Sequence, residues 1–157
     1  MSIRIKEALV IVGLIAFILF VSRKDVYVDI PVADIESSIA EVPEVGELDK
    51  FGAVQLKNDY HIFSNEYQEL LYYGYESFMD CNKVIVVKLA DGNSGDNILQ
   101  AFSDERERSM EVFKSYAPEQ YDMLSQAVLT QKGQYIIYIV ASQPKDIYET
   151  ILDCIKK

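Results

Sequence analysis

The sequence predicts an α+β domain behind an N-terminal membrane helix, with a mainly antiparallel sheet of about four strands and helices packed on one face. Three observations predict it. An uncharged run, ALVIVGLIAFILFVS, fills residues 8–22. After it, segments bounded by Gly, Pro, Asn and Asp read in the order strand, strand, helix pair, strand, strand, helix. Half of the 157 residues are hydrophobic, enough for a core without metal or disulfide staples. The chain then divides into a signal anchor at 1–24, an acidic juxtamembrane segment with a short helix at 25–50, and an extracytoplasmic α+β domain at 51–157.

The leader reads as an uncleaved anchor. Fifteen residues, 8–22, reach ~22 Å as a helix, against a hydrocarbon core of ~30 Å. Ile3 and Ile5 lengthen the apolar face, and Arg4, Lys6, Arg23 and Lys24 can snorkel from either end. No small-x-small pattern precedes Ser22 and two basic residues follow it, which disfavours cleavage; a cleaved signal peptide is the alternative. Basic residues flank both ends equally, and the amino terminus tips the balance toward N-inside. That places the domain outside the cytoplasm.

The elements follow in order. Between Asp25 and Asp49 stand eight carboxylates and no base. Within that stretch, apolar residues at 32, 35, 39 and 42 have helical spacing behind Pro31, giving a short helix over 32–41. Pro43 and Gly46 end it, and LDKFG, 48–52, reads as one more helical turn. Tyr60–Phe63 reads as a short strand, and the aromatic LLYYGYE, 70–76, as a longer one. KVIVVKLA, 83–90, is the clearest strand of the first half. DGNSGD, 91–96, is a loop with a helix cap at Ser94 or Asp96.

A long helix over 97–115 carries apolar residues at 98, 99, 102, 110 and 113. Ala117 breaks it, because the residue before a proline avoids helical geometry, and Pro118 opens a second helix to about Gln126. YAPEQY, 116–121, is therefore a helix joint with its tyrosines packed in the core. Residues 127–132 and 134–142 form a hairpin around Gly133. YIIYIVA, 135–141, is apolar on both faces and belongs at the centre of the sheet. Pro144 opens the final helix, with Ile147, Ile151, Leu152 and Ile155 facing inward.

Charge narrows the function classes. From Asp25 onward 24 acidic side chains face 11 basic ones, a net of −13. Such a field repels phosphate backbones, which excludes nucleic acid as a partner, and it suits solubility or a cationic partner. His61 is the lone histidine, so there is no His-rich metal site, and no Gly-x-Ser-x-Gly accompanies it. DGNSGD lacks the alternating acids of a calcium loop, and no glycine-rich phosphate loop occurs. No motif asks for a metal or a cofactor, and no set of catalytic residues stands out. Cys81 and Cys154 are free to pair as a disulfide outside the cytoplasm. Arg106 falls inside the apolar stripe of the long helix, where a guanidinium needs a partner. Glu105, Glu107 and Arg108 read as its solvated face. If a ligand site exists, Arg106 with Tyr116 and Tyr121 is the candidate, the arginine pairing an anion and the tyrosines framing it. A purely structural lock between the two helices is the competing reading.

The helix bearing Arg106, then Tyr116-x-Pro118-x-x-Tyr121, a short strand, Gly133 and a strand led by Tyr135 and ending in Ser142 make a recognisable series. With the LDKFG turn it resembles the bacterial domain-of-unknown-function family 4358, over roughly residues 32–157. That resemblance implies a small membrane-anchored or lipoprotein chain of a Gram-positive bacterium with an extracytoplasmic α+β domain. It implies no established activity. This chain lacks the lipid-attachment cysteine of the lipoprotein members, which leaves anchoring to the apolar helix.

The expectation is a membrane-tethered, extracytoplasmic, non-enzymatic module that binds a ligand or an envelope protein partner. One alternative is a cell-envelope polymer hydrolase, which needs two carboxylates ~5–10 Å apart in a cleft. The other is a structural subunit of an envelope complex, which needs a contiguous exposed apolar patch.

Overall fold

The computed structural model describes residues 10–15, 26–77 and 79–156. The apolar segment 8–22 lies mostly outside the described residues; its residues 10–15 are helical and exposed. Among the described residues no helix is long and apolar enough to cross a membrane.

The fold is α+β, built on one five-stranded sheet. In chain order come α1 (Val32–Ile39), α2 (Pro43–Gly46), β1 (Asp49–Phe51), α3 (Ala53–Tyr60), β2 (Tyr67–Gly74) and β3 (Lys83–Leu89). Then follow α4 (Asp96–Phe113), α5 (Pro118–Ser125), β4 (Val128–Lys132), β5 (Tyr135–Val140) and α6 (Pro144–Ile155). The strands lie in the order β1-β2-β3-β5-β4, and every neighbouring pair is antiparallel. The α4–α5 pair carries the chain from β3 across β5 to the far edge.

Strand parity sorts the core into two layers. On β3 and β5, Ile85, Val87, Ile136 and Tyr138 point to one face, while Val84, Val86, Ile137 and Ile139 point to the other. The first face is covered by α3, α4 and α5 through Leu56, Tyr60, Ile98, Phe102, Phe113 and Leu124. The second is covered by α1 and α6 through Val32, Ile35, Ile39, Ile147, Ile151 and Ile155. Helices therefore cover both faces, not one as the sequence reading expects. Central strands with apolar side chains of both parities cannot leave a face wet.

Three other sequence readings are corrected. LDKFG is not a helical turn: Asp49–Phe51 pairs with β2 as the edge strand β1, Asp49 opposite Gly74, which makes five strands instead of four. The expected strand at 60–63 is the end of α3 and the loop after it; His61 closes that helix in the left-handed conformation, φ 58°. The cap of α4 is Gly95 at φ 80°, not Ser94 or Asp96. A Cβ there would meet Ile136 Cδ1 at 2.8 Å and Leu89 Cδ1 at 3.0 Å, so a side chain would have to push those core side chains aside as well as adopt a left-handed backbone.

The residues before α1 are held to the second face. Val28 N–H donates to the Ile155 carbonyl at 2.7 Å, and Tyr27 bridges Lys156. The Tyr135 hydroxyl accepts from Ile30 N–H at 2.8 Å and donates to Ile30 C=O at 2.7 Å. Tyr135→Phe leaves the Ile30 N–H without its acceptor, while Lys88 Nζ still donates to the Ile30 carbonyl at 3.3 Å; a loss of ~1–3 kcal/mol is expected in thermal melts of the full chain. Beside it the buried Lys88 Nζ meets Asp29 at 2.7 Å and Glu69 at 3.0 Å. The hydrogen bond to Asp29 raises the Lys88 pKa against the burial that would lower it, and Glu69 adds to the rise.

Glu69 in turn accepts Val32 N–H at 2.7 Å at the start of α1. That hydrogen bond, followed by Lys88, holds its carboxyl below the ordinary 4.5 of a free glutamate. Glu36 is lowered too, by its hydrogen bonds to Lys50 and Tyr73. A depressed carboxyl contributes stability above its unfolded pKa and loses it as pH falls through the folded one. Melting temperature is therefore expected to fall below about pH 4.5, with a shallower acid limb in Glu69→Gln.

Candidate functional site

The first face does not close completely. Between α3, the amino-terminal end of β3 and the middle of α4 lies an open cavity of ≈ 500 Å³. That is within the ~300–1,000 Å³ range of small-molecule sites. Its lining takes in the end of β2 at Gly74, the start of β3 at Lys83, and Tyr75, Glu76, Ser77, Asp80, Cys81 and Asn82 between them.

Two ionic side chains form its floor. Lys83 opens β3 with the same parity as Ile85 and Val87, so its stem runs inward along the core face. Glu105 lies on α4 between Phe102 and Ser109. Lys83 Nζ stands 3.1 Å from Glu105 Oε1, and the two side chains are only 13% and 17% exposed. Tyrosines complete the shell. Lys83 Nζ donates to the Tyr60 hydroxyl at 3.2 Å and lies 5.7 Å from the Tyr60 ring centre and 5.8 Å from that of Tyr138. The Tyr138 hydroxyl donates to Glu105 Oε2 at 3.2 Å, and Ser109 donates to Oε1 at 2.7 Å.

This geometry sets the protonation states. Burial pulls the Lys83 pKa down, but Glu105, Tyr138 and Tyr72 outweigh it, and the net direction is up. Burial first and Glu105 second push the Tyr60 phenol well above its usual value. Burial also raises Tyr138 and Tyr72, and it pushes the Cys81 thiol in the cavity wall up to about 12. At neutral pH the lysine is an ammonium, the tyrosines are phenols and the cysteine is a thiol. The strong nucleophile and base forms of these groups are suppressed.

The rim is acidic. Asp59, Glu76 and Asp80 line the cavity with Glu105, against Lys83 as the single lining cation among the described residues. Asp59 is held by two donors, Tyr72 Oη at 2.7 Å and Gln55 Nε2 at 2.8 Å. Asp80 Oδ1 accepts the backbone N–H and the side-chain amide of Asn82, at 2.9 and 2.8 Å. The rings of Phe51, Tyr72 and Tyr75 supply flat walls.

The residues singled out by sequence lie elsewhere. YAPEQY is the joint expected of it: α4 ends at Phe113 and α5 begins at Pro118. Of its tyrosines Tyr116 departs from the expectation, 53% exposed with its ring tilted beside that of Phe113, while Tyr121 is half-buried against the first core layer. Arg106 is half-buried, its Nε enclosed with no hydrogen-bond partner among the described residues. None of these three lines the cavity. Glu105, read from the sequence as solvated, is the residue that turns inward. Ser109 and Phe113 are compatible with either 105 or 106 on the buried stripe, since both are one helical turn from Phe102 and from Ser109.

Cys81 and Cys154 are free, not a disulfide: Cys81 packs in the first core layer and Cys154 against the second, on opposite sides of the sheet. His61 is an exposed helix cap. Among the described residues no group of three or more His, Cys, Asp or Glu could hold a metal ion.

A family model described as a domain of unknown function, DUF4358, matches residues 42–141, and the chain belongs to that family. The matched stretch spans β1 through β5 and so contains every cavity residue named above. Comparison with curated proteins and with solved structures gives no match.

Proposed function

We propose that this member of the DUF4358 family is a membrane-tethered, extracytoplasmic ligand-binding module, and that the cavity at the ends of β2 and β3 is its site. The observation that carries the reading is a small-molecule-sized cavity whose polar floor is already satisfied. Lys83, Glu105, Tyr60, Tyr138 and Ser109 are committed to one another. A floor of that kind holds a fixed shape and field, which is what recognition needs. Catalysis would ask for a group in a reactive state, and burial keeps Cys81, Tyr60 and Tyr72 protonated. The tether rests on the apolar run 8–22 and the placement outside the cytoplasm on its flanking charges.

The test uses the full chain in lipid nanodiscs, incubated with a small-molecule extract of the cells that produce it. Retained compounds are read by mass spectrometry for the wild type and for Ser77→Trp, which blocks the exposed cavity rim. The expected result is a compound retained by the wild type and lost from Ser77→Trp at unchanged melting temperature. Equal retention by both chains overturns the site, and conversion of the compound to a product overturns the binding role in favour of an enzyme. Placement is checked with Val54→Cys, a position 74% exposed. An impermeant maleimide is expected to label it in intact cells; labelling only after lysis would place the domain inside.

A further inference from the structure

Resting on that reading of the cavity, we infer that its ligand is a compact organic cation bearing N–H donors, a primary ammonium or a guanidinium. Three observations carry this. First, the wall charge is unbalanced. The one cation lining the cavity, Lys83, is consumed by Glu105 at 3.1 Å, and no ion pair reaches Asp59, Glu76 or Asp80 among the described residues. Second, the buried lining atom left without a partner is an acceptor. Asn82 lines the cavity, and its buried Oδ1 has no partner among the described residues. Its amide cannot be turned the other way round, because Nδ2 donates to Asp80 Oδ1 at 2.8 Å and the turned amide would set two acceptors against each other. A buried acceptor left unmet is destabilising, and an incoming donor would recover that loss. Third, the lining includes the rings of Phe51, Tyr72 and Tyr75, and ring faces attract cations.

These features discriminate between ligands. A neutral polyol gains nothing from the net charge of the wall. An anion is repelled by it. A quaternary ammonium satisfies the charge and the rings but has no N–H for Asn82 Oδ1. The order expected is therefore lysinamide and agmatine tightest, tetramethylammonium weaker, and sorbitol and citrate without measurable binding.

The experiment is calorimetric titration of the full chain in nanodiscs of zwitterionic lipid with those five compounds, at fixed ionic strength. Asp80→Asn retains the Oδ1 acceptor that holds Asn82 and removes the charge; it is expected to weaken lysinamide at least tenfold. Glu149→Gln, an exposed acid on α6 on the opposite face of the sheet, is expected to leave binding unchanged. Equal loss in both variants would mean diffuse attraction to an acidic domain and would overturn the inference. Binding of sorbitol or citrate, abolished by Ser77→Trp, would overturn the cation class while leaving the cavity as a ligand site. Absence of binding by all five compounds also overturns the inference, and the fate of the site then follows from extract retention by wild type against Ser77→Trp.

Discussion

A chain cut to residues 42–141 is expected not to fold. This is the stretch that matches the family model, and it lacks α1 and α6, the two helices that cover the second face of the sheet. Val32, Ile35, Ile39, Ile147, Ile151 and Ile155 are each at most 4% exposed, and burial of such a side chain contributes ~1.5–3 kcal/mol. Their combined loss is on the order of 10 kcal/mol, as large as the ~5–15 kcal/mol by which a domain is stable at all. Val84, Val86, Ile137 and Ile139 would be uncovered as well, leaving an apolar sheet face that favours aggregation. Circular dichroism and gel filtration of the cut chain against the full one decide it: aggregated or unfolded material is expected, and a cooperative melt of a monomer would contradict the role given to α1 and α6.

Lys83→Met is expected to lower the melting temperature by ~10 °C or more. The substitution keeps the apolar stem and removes the ammonium, so Glu105 stays enclosed with only Ser109 and Tyr138 as partners. Breaking one side of a buried pair costs ~3–5 kcal/mol, mostly the desolvation of the charge left behind. At ~2–8 °C for each kcal/mol in domains of this size range, that is a large shift. Adding Glu105→Leu removes the stranded charge, and the double variant is expected to recover much of the loss. A double variant as damaged as the sum of the single ones would show that the two residues do not act as a pair.

The fold was legible where one local pattern decided it. β3 and β5 carry apolar side chains of both parities, which marks central strands, and Pro118 and Pro144 mark helix starts that the structure keeps at those residues. The same two-sided pattern implied cover on both faces, a consequence that the helix stripes alone do not show, since α1 and α6 look alike whichever face they cover. β1 was illegible because three residues at an edge owe their strand geometry to pairing with β2. α3 was missed because it buries only Leu56 and Tyr60, while the neighbouring DYHIF imitates a strand. The cavity was less legible still. Its floor pairs residues 83 and 105, far apart in sequence. The one local signal was a lysine with the parity of Ile85 and Val87, a charge on a core-facing row that demands a partner. Glu105 and Arg106 compete for one place on the buried stripe of α4, and spacing cannot choose between them.

The cavity as the ligand site is tested most directly by tyrosine-selective carbon-13 NMR of the full chain in nanodiscs, titrated with lysinamide and, separately, with the extract of the producing cells. Of the 11 tyrosines, Tyr60, Tyr72 and Tyr75 line the cavity, whereas Tyr67 and Tyr148 do not. Ring signals of the first three are expected to shift together and to saturate, with Tyr67 and Tyr148 unmoved. Saturable shifts centred on Tyr148, or a spectrum that neither lysinamide nor the extract changes, would contradict the assignment.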